Sequence, residues 1–228
     1  MEPTGEAEQY ATEIRHVLDC VTWTPSIEDL VCRALGRHAL RKGPIAAAAT
    51  RATVNGSTIF YTSTRVAPAR ARWALAYAFA VWALEHDGFS SEDATRLRSR
   101  LAAEFLLPSD AARRVFPRAS PSAVASRLVM PVAASYLREA ELLRVPTCLV
   151  ALGRDGLYAR TRGDDDGRLP VSLDALRLLA SQRSIGVTRT KTEDGGTIIR
   201  LASLPSRRAL VRQDPCPCRA SCRADRSG

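Results

Sequence analysis

The sequence is poor in the residues that do chemistry. Its 228 residues include three histidines, His16, His38 and His86, and no two of them stand four apart. No helix can therefore present the paired imidazoles of a helical zinc site on one face. There is no glycine-rich run of the kind that cradles phosphates. The longest apolar stretch, WALAYAFAVWAL at 73–84, is twelve residues, short of the ~20 that a membrane-spanning helix needs. The opening MEPTGEAEQYATEIRHVL is polar and acidic and lacks the apolar core of a secretory signal. These absences predict a soluble, cytoplasmic protein with no membrane partner and no cofactor.

Cysteine is sparse and uneven. Cys20, Cys32 and Cys148 are isolated, whereas Cys216, Cys218 and Cys222 crowd the last residues. Outside a secretory context, reduced thiols are expected rather than a disulfide framework. The final trio is a weak metal candidate: it supplies three thiolates, and a structural zinc takes four ligands. GDDDG at 163–167 lacks the alternating acids and terminal glutamate of a calcium loop and reads as a solvated turn.

Arginine is abundant. Lys+Arg number 33 against 24 Asp+Glu, a net charge of +9, and nearly all the cations are arginine. Basicity of this degree permits nucleic-acid binding without specifying it.

Residues 8–20 and 26–40 read as amphipathic helices, the second capped at PSIED by Ser26 with Asp29 three residues on and stopped by RKGP at 41–44. Asn55-Gly56, between β-capable runs, predicts a hairpin with a tight turn. After Pro68 the apolar helix runs over about 69–86. A helix from Ser90 or Ser91 to about 106 follows, with Leu97, Leu101 and Phe105 on its inward stripe. A short helix lies between Pro108 and Pro117, and two helices over 121–143 meet near Val129-Met130. From 147 the pattern turns to two hairpins flanking a capped helix, PVSLDALRLLASQ. Residues 205–228 are arginine- and proline-rich with little hydrophobic periodicity and are expected to be disordered. The predicted organisation is therefore 1–118, 119–146 as a helix-turn-helix-like pair, 147–204 as a small α/β appendage, and 205–228 as a basic tail.

The order of hairpin, long helix, acidic loop and a helix ending RLAAEFLLP (100–108) resembles the ImmA/IrrE-type metallopeptidase family over about residues 26–145. RARWALAYAFAVWAL (70–84) is similar in shape to the helix that bears His-Glu-x-x-His in that family. The resemblance implies an α+β fold: a mainly helical, zincin-like domain with a small β-hairpin sheet, followed by the α/β appendage. Carried over position by position, the two histidines fall on Tyr77 and Val81, the glutamate on Ala78, and the third ligand, counted back from Pro108, on Leu97. Alanine, valine and leucine have no donor atom, and a lone phenol with an ordinary pKa near 10 is a poor ligand. On this reading the site that interrupted the apolar helix has been filled with hydrophobic side chains.

Three functions follow. The first is a catalytically inactive, peptidase-like regulatory or interaction module. By the resemblance it would engage a protein partner such as a helix-turn-helix repressor, in stress or mobile-element control. The second is a DNA-associated regulator binding non-specifically through the 121–143 pair, with Arg127, Ser135 and Arg138 as contacts. The third is a metallopeptidase with a rebuilt site that uses Tyr77, His86 and Asp93.

Overall fold

The computed structural model describes residues 3–20, 26–143, 147–153, 156–162, 187–191 and 197–201. The chain forms α1 (Pro3–Val17), α2 (Ile27–Leu35), a 3-10 turn (Arg37–Ala39), β1 (Leu40–Gly43), β2 (Ala49–Val54) and β3 (Ser57–Ser63). It continues through α3 (Pro68–His86), α4 (Ser91–Leu106), α5 (Ser109–Val115), α6 (Pro121–Leu128) and α7 (Val132–Leu143). The last strands are β4 (Thr147–Gly153), β5 (Gly156–Arg162), β6 (Val187–Lys191) and β7 (Thr197–Leu201). The fold is α+β: a mainly helical body around one three-stranded sheet, ordered β1-β3-β2, and a four-stranded sheet ordered β5-β4-β7-β6. The two expected hairpins of 147–201 are present and joined edge to edge by antiparallel β4–β7 pairing. The helix expected at 170–182 and the tail from 205 lie outside the described residues.

Local chemistry accounts for the starts and turns. Asn55 and Gly56 both take positive φ, 51° and 78°, which two-residue hairpin turns favour because they match the right-handed strand twist. Val54 then pairs with Ser57. Ser26 Oγ accepts from Asp29 N at 3.1 Å while Ser26 N donates to Asp29 Oδ2, also at 3.1 Å, a reciprocal cap of α2. Ser90 caps α4 and Ser120 caps α6 in the same way on one side.

The helix expected over 26–40 is shorter than the periodicity implied. It ends at Leu35, because Gly36 takes φ 87°, a conformation that disfavours any side chain. The chain then re-enters as β1, parallel to β3, with Leu40 opposite Phe60 and Gly43 opposite Ser63. LRKG has no apolar alternation, so only the pairing with β3 reveals it as a strand.

Helix α3 is apolar for a reason of position. The sheet packs on it through β2 and β3, α4 lies along another side, and α2 touches it as well. The α1 residue Tyr10 closes its end, its hydroxyl donating to Asp87 Oδ2 at 2.6 Å and lying 3.0 Å from Ala83 O. Burial and the neighbouring Asp87 carboxylate hold that phenol well above its ordinary pKa. A helix covered from several directions needs apolar residues on several faces. Phe79 sits at the middle of the core, its ring 6.1 Å from Phe60, 5.3 Å from Trp82 and 5.2 Å from Phe105.

Candidate functional site

The four positions matched to the resembled metallopeptidase motif are occupied by packing. Tyr77, Ala78 and Val81 are half-buried on α3, and Leu97 of α4 is 1% exposed in the main core. The Arg98 guanidinium of α4 lies 5.4 Å from the centre of the Tyr77 ring, a cation–π placement that covers the phenol. At four-residue spacing from Tyr77 and Val81, the same stripe of α3 continues to Trp73 and Glu85. Glu85 pairs with Arg51 of β2 at 2.6 Å. The stripe thus runs from an aromatic to an ion pair through positions with no metal-binding atom except the Tyr77 hydroxyl. Among the described residues, no three His, Cys, Asp or Glu side chains cluster closely enough to hold a metal.

The alternative trio of Tyr77, His86 and Asp93 does not converge. Nine residues along an α-helix amount to about 900° of rotation and ~13.5 Å of rise, so Tyr77 and His86 project from opposite faces of α3. His86 is exposed and stacks on Trp82, centroids 5.2 Å apart. Asp93 belongs to the cap of α4, accepting from Ser90 Oγ at 2.7 Å. These hydrogen bonds from Ser90 and then Arg96 hold its carboxyl below the ordinary value.

The α6–α7 pair corrects the expected nucleic-acid contacts. Ser135 is fully buried and donates through Oγ to Pro121 O at 2.7 Å, tying the two helices together. Arg138 is 1% exposed. It pairs with Glu104 of α4 and donates to Ser109 Oγ at 2.9 Å and Leu107 O at 3.3 Å. Neither side chain can reach a phosphate, because each is spent inside the fold. Arg127 alone of the three is exposed, on the rim of a 220 Å³ recess lined by Val115, Ala119, Val124 and Leu128.

Glu104 explains the run RLAAEFLLPSD. Besides Arg138, its carboxylate accepts from Ser109 N at 2.9 Å and Ser109 Oγ at 2.5 Å, so it starts α5 and anchors α7 at once. Arg15 of α1 reaches the same region, donating to Phe105 O at 2.8 Å. Its burial lowers its pKa from the ordinary arginine value. Conspicuous as it is in the sequence, the glutamate of this run has a structural role.

A separate recess of about 400 Å³ lies between α1 and the end of α3, lined by Tyr10, Ile14, Val17, Trp82, Ala83 and His86. Val17 on its margin is 82% exposed. Cys20 is buried and Cys32 half-buried, both as free thiols. Cys216, Cys218 and Cys222 lie outside the described residues.

One charge feature escaped the reading by motifs. From Leu30 to Leu84 there is no Asp or Glu, yet the stretch carries Arg33, Arg37, Arg41, Lys42, Arg51, Arg65, Arg70 and Arg72. Arg51 is paired with Glu85, Arg72 with Glu28 at 3.5 Å, and Arg33 donates to Leu18 O and Asp19 O. The other five are exposed. The signal that marks them is the missing acid, which a search for chemical motifs passes over.

No protein-family model matches the chain, and no curated protein matches its sequence significantly. Among solved structures it is similar to a Mycobacterium tuberculosis transcriptional regulator, at 16% identity and a TM-score of 0.53. The match covers 85% of this chain and 78% of the other. At that identity the likeness is one of fold. No helix among the described residues is long and apolar enough to cross a membrane.

Proposed function

We propose that this chain is a non-catalytic regulatory protein: an ImmA/IrrE-like scaffold whose peptidase centre has become packing, and which acts by holding a macromolecular partner. The observation that carries the reading is the α3–α4 contact. Leu97 is sealed in the core and Tyr77 lies under Arg98, at two of the positions where the resembled enzymes place zinc ligands. An open coordination position and a nearby carboxylate are what metal-assisted hydrolysis needs. The stripe from Trp73 to Val81 offers neither. The regulator whose fold the chain shares supports a role in transcriptional control. By the resemblance, a helix-turn-helix repressor is the protein partner of choice.

The test is zinc content by mass spectrometry together with hydrolysis of a casein substrate. It uses the full chain carrying Cys216→Ser, Cys218→Ser and Cys222→Ser, so that the terminal thiols contribute no metal. The reading expects sub-stoichiometric zinc and no cleavage from a protein that still melts cooperatively. One zinc per chain, or cleavage abolished by a chelator, would overturn it.

A further inference from the structure

Five exposed cations of the acid-free segment, with no ion pair among the described residues, gather along the β1 edge: Arg37 just before β1, Arg41 and Lys42 on it, and Arg65 and Arg70 in the chain that leaves β3 for α3. β1 is an outer strand, so one backbone edge is free of strand partners among the described residues. Arg41 and Lys42 lie on it opposite Tyr61 and Thr62 of β3. Because β1 and β3 run parallel, both leave the sheet at the same end, where Thr64 N donates to Gly43 O at 2.9 Å. That bond holds the residue before Arg65 against the end of β1, one residue past Lys42. Arg70 follows in the first turns of α3, and Arg37 stands at the other end of β1 in the 3-10 turn.

From Arg37 to Gly43 the chain spans about 16 Å, rising roughly 2.0 Å per residue through the 3-10 turn and roughly 3.3 Å along β1. That matches the rise of about five nucleotides of one DNA strand, at 3.4 Å each. Four of the five cations are arginines, whose planar forks suit phosphate oxygens. Like charges with no acid between them in the chain repel one another, a cost that a bound polyanion removes. The acids nearest this edge are already engaged: Glu28 of α2 pairs with Arg72, Asp29 closes the cap of α2 and Glu85 pairs with Arg51.

We infer that the β1 edge and the start of α3, through Arg37, Arg41, Lys42, Arg65 and Arg70, form a surface that binds the phosphate backbone of nucleic acid without reading bases. This surface is distinct from the α6–α7 pair. It supplies a nucleic-acid partner for the regulatory reading and rests on that reading only to this extent. Zinc or peptidase activity would sink the reading and leave the binding surface untouched.

The test is fluorescence anisotropy with a labelled 25-base-pair duplex of arbitrary sequence, titrated with the full chain between about 50 and 200 mM KCl. Each phosphate neutralised contributes about −0.9 to the slope of log affinity against log salt. Relative to wild type, R41Q/K42Q/R65Q is expected to flatten that slope by about 2.7 and weaken binding at least about tenfold at the lowest salt. A charge-matched control, R113Q/R114Q/R118Q, uses exposed arginines of α5 and the turn after it and should change neither quantity by more than about a third as much. Far-UV circular dichroism and melting of each variant establish that it is folded. No binding by wild type at the lowest salt overturns the inference. Equal losses in both variants, or binding unaffected by R41Q/K42Q/R65Q, overturn it too, the last assigning the contact to arginines such as those of 205–228. Tighter capture by vesicles of anionic lipid than by DNA at equal salt also overturns it, in favour of a membrane surface.

Discussion

At the scale of single residues, Arg138 shows why charge alone is a poor guide to function. In the sequence it stands on a helix proposed to face DNA, and in the fold it is the partner of a glutamate that water cannot reach. Removing one member of a buried pair leaves the other charged and uncompensated. Arg138→Met is therefore expected to cost about 3–5 kcal/mol, read as a lowered midpoint in urea. Glu104→Gln/Arg138→Met should recover part of that loss, since no ion then remains unpaired. A lysine at 138 is no conservative replacement: a point ammonium cannot serve Glu104, Ser109 Oγ and the Leu107 carbonyl in the geometry of a guanidinium.

At the scale of elements, the helix starts are where sequence and fold agree most closely. Ser90 is a case with a pH signature. Ser90→Ala removes the oxygen that accepts from Asp93 N at 3.1 Å, a loss of about 1 kcal/mol for a typical cap. Asp93 is held below its ordinary value of 3.8. The stability linked to it is therefore fully present above that value and lost as pH falls through the lower, folded-state pKa. The gap in melting temperature between wild type and Ser90→Ala should accordingly be constant from pH 7 down to about pH 3.8 and shrink, without closing, as pH falls further. Caps and the Asn55-Gly56 turn were legible because they are local: three or four residues carry the whole signal. β1 was not, since Arg41 and Lys42 obey no alternation and the strand exists only through Phe60 and Tyr61, some twenty residues away. The candidate site divides in the same way. Tyr77, Ala78 and Val81 stand on α3 and Leu97 on α4, helices whose own periodicity marks them. The burial of Ser135 and Arg138 depends on Pro121 and Glu104 and has no local mark.

At the scale of the whole molecule, one aromatic cluster joins the layers. Phe60 comes from β3, Phe79 from α3 and Phe105 from α4, and each is at most 1% exposed. Phe79→Ala opens a cavity at their junction and should cost about 3–5 kcal/mol. The sheet and the helices should still melt in one transition with the same midpoint by far-UV circular dichroism and tryptophan fluorescence. Two separate midpoints would show that the cluster does not couple them.

The tie between Arg15 of α1 and Phe105 O spans 90 residues, and this has a consequence for how the protein is made. Helix α1 has fifteen residues, about the length at which an isolated helix is marginal in water. Its buried side, Ala7, Tyr10 and Ala11, has no surface to rest on until α3 and α4 have been synthesised. At about 5–20 residues per second, the nascent chain carries that side uncovered for roughly 5–18 s. During translation α1 thus leaves the ribosome well before the helices it packs on, and for that interval its apolar side is open to a chaperone.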